Sequence, residues 1–174
     1  MHLANDLAQK TLEKMFPLLS TPILFGESEE SKLLDEFYDI LFVSAFDHWL
    51  TEEECDKLSL CFADFLKSND ESYLEKLEKF KQFYSHFFNI GAFSWEENQD
   101  YDKLSFIAFD DYEEYIIRCQ ESALERKFLN ICVPDMQMVI CGGFDLTHKI
   151  LMKKEKSKND LINLANNSHL YLLN

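Results

Sequence analysis

From Leu104 to Asn174 the hydrophobic pattern changes period in an orderly series, and this stretch constrains the fold more than any other. LSFIAF (104–109) reads as a strand and DYEEYIIRCQESALERKFLN (111–130) as a helix. MQMVIC (136–141) and DLTHKILMK (145–153) read as two strands flanking Gly142-Gly143, and NDLINLAN (159–166) is a short helix leading into a last strand, HLYLL (169–173). The order is β-α-β-β-α-β. Within 145–153, Leu146, His148, Ile150 and Met152 fall on one face and Thr147, Lys149, Leu151 and Lys153 on the other, which predicts one buried and one half-wet surface. A Gly-Gly link suits a hairpin because both central residues can take positive φ. With the first and third strands side by side, the unit is a ferredoxin-like split β-α-β; a plain antiparallel sheet with another strand order uses the same elements.

The front half reads as helical. Leu3, Leu7, Leu12 and Met15-Phe16 lie on one side of a helix over 3–16 that Pro17 ends. After a loop to about residue 30, Leu33, Leu34, Phe37, Tyr38, Leu41, Phe42 and Ala45 form a broad i, i+3/i+4 stripe, which predicts a central helix over 32–49. Thr51 and Glu54 have capping-box spacing at the start of a helix running to about 66. Tyr73, Leu77, Phe80, Tyr84 and Phe87 predict a fourth helix ending before Gly91. The expected fold is thus α+β in one domain over 1–174. A layer of three to four helices (1–90) is followed by a β-α-β-β-α-β part (104–174) with a mainly antiparallel sheet.

Composition narrows the class. With 47% apolar residues, 16 Phe, 4 Gly and 3 Pro, disorder and low-complexity character are excluded. Asp6 and Glu13 interrupt the apolar core a signal peptide would need, and no segment is apolar for the roughly 18 residues of a membrane span. The expected location is the cytoplasm. The five cysteines have no framework spacing, and Cys61, Cys119, Cys132 and Cys141 sit in apolar segments, which suits free thiols.

Charge is the strongest functional signal. The net charge is −15, and it is uneven: residues 1–114 hold 26 acidic and 9 basic side chains, net −17, against 6 and 8, net +2, in residues 115–174. Such a field disfavours nucleic acid and anionic membrane and favours a basic protein partner. The most one-sided window is 96–114, with eight carboxylates (Glu96, Glu97, Asp100, Asp102, Asp110, Asp111, Glu113 and Glu114) and one Lys. Asp110 and Glu113 have capping-box spacing, with Asp in place of Ser or Thr. Trp95 and Tyr101 stand within this window among polar neighbours. They read either as interface aromatics ringed by charge or as loop residues tucked under the helices. Trp95, Tyr101 and the eight carboxylates are the candidate partner-binding residues.

The sequence holds no Gly-rich phosphate loop, GxSxG, HExxH, CxxC or EF-hand pattern. His148 and Cys141 flank the expected hairpin, but as a lone pair they read better as a sheet histidine and a core thiol than as base and nucleophile. Asp100, Asp102 and Asp110 lack the order of a calcium loop. No catalytic group, metal or cofactor is expected.

In size, acidity and the strand-helix-strand ending DLTHKILMKK…LINLANNSHLYLLN, the chain resembles bacterial immunity proteins, the small cognate inhibitors of polymorphic toxins. Its 15 Lys against 2 Arg fits an AT-rich bacterial genome. The resemblance implies a basic toxin domain as partner, such as a nuclease whose cationic groove is filled by carboxylates, and a monomer or weak dimer. Two other classes fit the same charge or its absence of motifs: a phage- or plasmid-encoded acidic inhibitor that mimics nucleic acid, and an enzyme whose site carries no recognised pattern.

Overall fold

The computed structural model describes residues 2–17, 19, 31–60, 62–68, 70–97 and 104–174. Its frame is one eight-stranded sheet whose paired strands are all antiparallel, in the order β1-β4-β3-β5-β6-β7-β2-β8. The strands are β1 (His2–Leu3), β2 (Tyr38–Ser44), β3 (Phe93–Glu97), β4 (Leu104–Ala108), β5 (Asn130–Val133), β6 (Met138–Cys141), β7 (Thr147–Lys153) and β8 (Tyr171–Leu173). The helices are α1 (Asp6–Met15), α2 (Ser31–Phe37), α3 (Glu52–Cys55), α4 (Phe62–Ser68), α5 (Glu71–Phe88), α6 (Tyr112–Ala123) and α7 (Asn159–Asn167). The fold is α+β.

Strand alternation divides the sheet into two faces with different covers. On the first, Leu41, Val43, Ile131, Ile140, Ile150 and Met152 form a core with Phe80, Phe83 and Phe87 of α5, Tyr115 and Cys119 of α6 and Leu161 of α7. On the second, Tyr38, Trp95, Phe106, Cys132, Val139 and Leu151 gather beneath Leu12 of α1, Phe16 and Leu34 of α2. Burying each large apolar side chain is worth about 1.5–3 kcal/mol, so the two clusters hold the sheet from both sides.

Several expected elements take their places. α5 and α7 follow the periodicity read from the sequence, and β7 shows the expected split, with His148, Ile150 and Met152 buried on one face and Thr147, Lys149 and Lys153 half-buried on the other. The Thr51 capping box is fully formed, with both reciprocal hydrogen bonds present.

The front half, however, is not a layer of helices. The segment expected as a central helix over 32–49 is helical only to Phe37, then becomes β2, an interior strand paired with β7 on one side and β8 on the other. Its apolar residues point to both faces, so it has no clean two-residue alternation, and its Tyr, Ile, Phe and Val suit a strand better than a helix. The stretch 89–103, expected to be irregular, supplies β3, and the helix expected over 111–130 stops at Ala123, leaving NICV as β5. The helix expected over 51–66 is two pieces, α3 and α4. The ferredoxin-like order does not form, because β3, β5 and β6 lie between β4 and β7, and β8 pairs with β2.

The β6–β7 connection also differs from a two-residue turn. It spans residues 142–146, and its positive φ angles fall on Asp145 (55°) and Leu146 (52°). Gly142 and Gly143 are needed for space: a Cβ at Gly142 would lie 2.4 Å from the Ser122 hydroxyl, and one at Gly143 would lie 2.1 Å from the Thr147 carbonyl oxygen.

Candidate partner-binding surface

The described carboxylates between residues 96 and 114 are separated by the fold. β3 alternation sends Phe93 and Trp95 to the second sheet face, where Trp95 pairs in register with Phe106 and is 3% exposed. Of the two readings of Trp95, the exposed interface aromatic does not hold: the indole is in the core, carried by a five-residue strand where the sequence suggests a loop. Glu96 points the other way and is exposed. The side chain of Glu97, and Asp100, Tyr101 and Asp102, lie outside the described residues.

The remaining members gather at the start of α6. Asp111, not Asp110, is the N-cap, and its carboxylate accepts the Glu114 N–H at 2.7 Å, one residue on from the expected Asp110–Glu113 spacing. Asp110 and Glu113 are exposed there, and Glu114 lies 3.5 Å from Arg118 one turn on. Part of this acidity complements the positive end of the helix. Glu96 instead borders a crevice of about 440 Å³ with Arg118, Glu121 and Lys127. The crevice opens where β3 and β5 part after two paired residues, and its charges balance. Ser94 lines it with a buried hydroxyl that has no hydrogen-bond partner among the described residues. Among the described residues, Glu96 thus lies apart from Asp110, Asp111 and Glu113, toward the other end of a 12-residue helix.

Two exposed aromatics do meet at one cleft, on a different part of the molecule. Beyond the cover of α1 and α2, the second sheet face carries Phe42, Thr147 and Lys149, and the 47–56 segment and the β6–β7 turn rise on either side to form a cleft of about 350 Å³. Trp49 and Phe144 stand on its walls, 51% and 63% exposed. Each wall is fixed by specific contacts. Trp49 meets Phe42 edge to face at 4.8 Å, and its indole N–H donates to the Asn174 carbonyl at 3.1 Å. Phe144 meets Phe128 in the same way at 4.8 Å, and the turn behind it is held by the Asp145 N–H donating to Glu125 at 2.8 Å.

The charges that line the cleft are mixed, Asp145 with Lys149 and His48, while Asp47, Glu52, Glu53 and Asp56 are exposed along 47–56. His48 bridges Asp47 (2.6 Å) and Glu54 (3.1 Å), and those hydrogen bonds, Asp47's first, raise its pKa above the ordinary 6.5. Glu54, accepting from the Thr51 backbone and hydroxyl, is lowered to about 2. Lys57 pairs with Glu53, and Lys149 on the cleft floor is lowered by burial. Trp49 escaped notice in the sequence because it fell at the end of an expected helix, and Phe144 because it lay inside an expected turn. The nearest local signal is an aromatic two residues before the Thr51 of the capping box.

The Cys141–His148 pair is taken apart by the sheet. Cys141 faces the second side and His148 the first, where its Nδ1 lies 2.5 Å from the Tyr84 hydroxyl and Phe80 lies against the ring at 4.6 Å. Burial lowers His148 to about 3 and raises Cys141 to about 12, so near neutrality the imidazole is uncharged and the thiol protonated. They cannot act as base and nucleophile on one substrate. Cys119, Cys132 and Cys141 are buried free thiols. Among the described residues no group of three or more His, Cys, Asp or Glu side chains could hold a metal ion, and no helix is long and apolar enough to cross a membrane. No family model, curated protein or solved structure matches this chain.

Proposed function

We propose that the chain is an immunity protein that neutralises a basic bacterial effector domain, such as a nuclease, in the cytoplasm of the cell it protects. It does so by covering the effector with an acidic surface rather than by reaction. The observation that carries this reading is the charge asymmetry, net −17 in residues 1–114, together with exposed carboxylates at the α6 start (Asp110, Asp111, Glu113) and along 47–56. Opposed fields of this kind raise the encounter rate and reject like-charged competitors.

The test is co-expression with the product of the adjacent gene, followed by affinity measurement at low and high salt. The expected result is protection of the host and a tight complex whose association slows as salt rises. Replacing Glu96, Asp110, Asp111 and Glu113 together by Lys is expected to slow association and remove most of the salt dependence. A complex indifferent to salt, or undiminished protection by that variant, would refute the electrostatic reading. Capture of a host nuclease in place of the neighbouring product would favour a nucleic-acid mimic.

A further inference from the structure

We propose that the crevice between β3, β5 and α6 is a binding site for a small zwitterion, a molecule of the free amino-acid class with one ammonium and one carboxylate. The ammonium meets Glu96 and Glu121, the carboxylate meets Arg118 and Lys127, and the Ser94 hydroxyl bonds the bound molecule from the wall. Such a site does not depend on the inhibitory role of the chain.

β3 and β5 pair only through Phe93–Cys132 and Ser94–Ile131, and past that point they separate to leave a space of about 440 Å³, within the range of small-ligand pockets. Alternation along β3 turns Ser94 and Glu96 to the first sheet face, the one that α6 covers, where Arg118 and Glu121 stand one turn apart. Ser94 is 1% exposed, and its hydroxyl is buried with no hydrogen-bond partner among the described residues. Trp95 Nε1 and Asn130 Oδ1, on the two strands that border the gap, are in the same condition. A buried polar group without a partner destabilises a fold, and such groups are few, so three of them around one opening point to a molecule that the opening receives.

The ionic side chains set the chemistry of that molecule. Arg118 meets Glu114 through Nε at 3.5 Å, which leaves its terminal nitrogens as a planar fork suited to a carboxylate. Glu96, Glu121 and Lys127 have no ion pair among the described residues, although all three line the one crevice. Opposite charges thus stand around the space without neutralising one another. A simple anion is repelled by the two carboxylates, a simple cation by Arg118 and Lys127, and an uncharged molecule would desolvate all four without pairing any. A zwitterion pairs both signs.

The test uses the full chain and the common α-amino acids one at a time, first by thermal shift and then by calorimetry. At least one is expected to raise the melting temperature and to bind with a Kd below about 1 mM. Its N-acetyl derivative, which lacks the ammonium, and its amide, which lacks the carboxylate, are each expected to bind about tenfold more weakly. Ser94→Ala is expected to raise the melting temperature of the unliganded chain, because a buried hydroxyl without a partner is gone, and to weaken the amino acid about tenfold. Lys127→Gln and Glu96→Gln, both at exposed positions, are expected to weaken it about threefold and to leave the unliganded melt unchanged. Failure of every amino acid to bind at about 10 mM would overturn the proposal and leave water as the occupant. Equal binding of the N-acetyl and amide forms would overturn it too, since neither charge would then be recognised. A lower melting temperature for unliganded Ser94→Ala would do the same, by showing that the hydroxyl already has a partner within the fold. None of these measurements contains an effector protein, so their outcome and that of the co-expression test are independent.

Discussion

The two faces of the sheet are built from the same strands yet finished differently. The first is closed by three helices whose apolar stripes meet it, so that Phe80, Phe83 and Phe87 of α5 and Tyr115 of α6 are fully enclosed. The second is closed over β3, β5, β6 and the Tyr38 end of β2 by α1 and α2, and stops short of Phe42 and Thr147, where the cleft opens. Stability therefore resides mainly in the first face and the covered part of the second, while the open end can carry exposed aromatics at little cost. Substitutions that cross this division test it.

The largest effect belongs to the closed face. Phe80→Ala removes an enclosed ring of α5 that lies against His148, and it is expected to cost about 3–5 kcal/mol in chemical denaturation. A loss below about 1 kcal/mol, the size of a surface change, would mean that the helices are not what closes this face.

His148 supplies a pH-dependent counterpart on the same face. Its folded pKa of about 3 lies below the ordinary 6.5, so the unfolded chain binds the proton more readily between these values. The neutral imidazole therefore stabilises the fold fully above about pH 6.5. That contribution falls by about 1.4 kcal/mol per pH unit as pH drops toward 3. Unfolding free energies of the natural protein and His148→Gln, measured across this range, should converge as pH falls. Parallel curves would show that the buried imidazole does not titrate as described.

The cleft wall should respond less. Thr51→Ala removes the hydroxyl that accepts the Glu54 N–H and donates to the Glu54 carboxylate, leaves the Thr51 N–H link of the capping box, and is expected to cost about 0.5–1 kcal/mol. The smallest stability effect, within about 0.5 kcal/mol, is expected for Phe144→Ser at the exposed turn. A thermal melt that drops sharply for Phe144→Ser would mean that the open end is a structural element and not a free surface.

Legibility in the sequence followed burial. α5 and α7 were readable because each has one apolar side, and β7 because its two faces differ. β2 and β5 were hidden because residues on both of their faces are covered, which erases the alternation that distinguishes a strand. β3 was hidden by its brevity and by Glu96 and Glu97 within it. The acidity of the front part was plain, but its grouping was not, because whether Glu96 and Asp111 share a surface depends on the direction in which α6 returns along the sheet. The cleft was illegible in principle: Trp49 and Phe144 lie nearly a hundred positions apart, and only the Ser44–Thr147 register of β2 against β7 brings them to one site.

That same pairing has a kinetic consequence. Ser44 and Thr147, whose hydroxyls meet at 2.8 Å, are 103 residues apart, and seven residue pairs depend on closing that loop. A topology dominated by such distant partners has a high contact order and folds slowly, because the loop entropy is lost before the contacts that reward it are made. Until β7 has been synthesised, β2 is an apolar ribbon with both edges open, the form in which chains add to one another. A nascent front half of this protein is thus a client for holding chaperones, and severing the chain between β2 and β7 would yield two aggregating fragments rather than two modules.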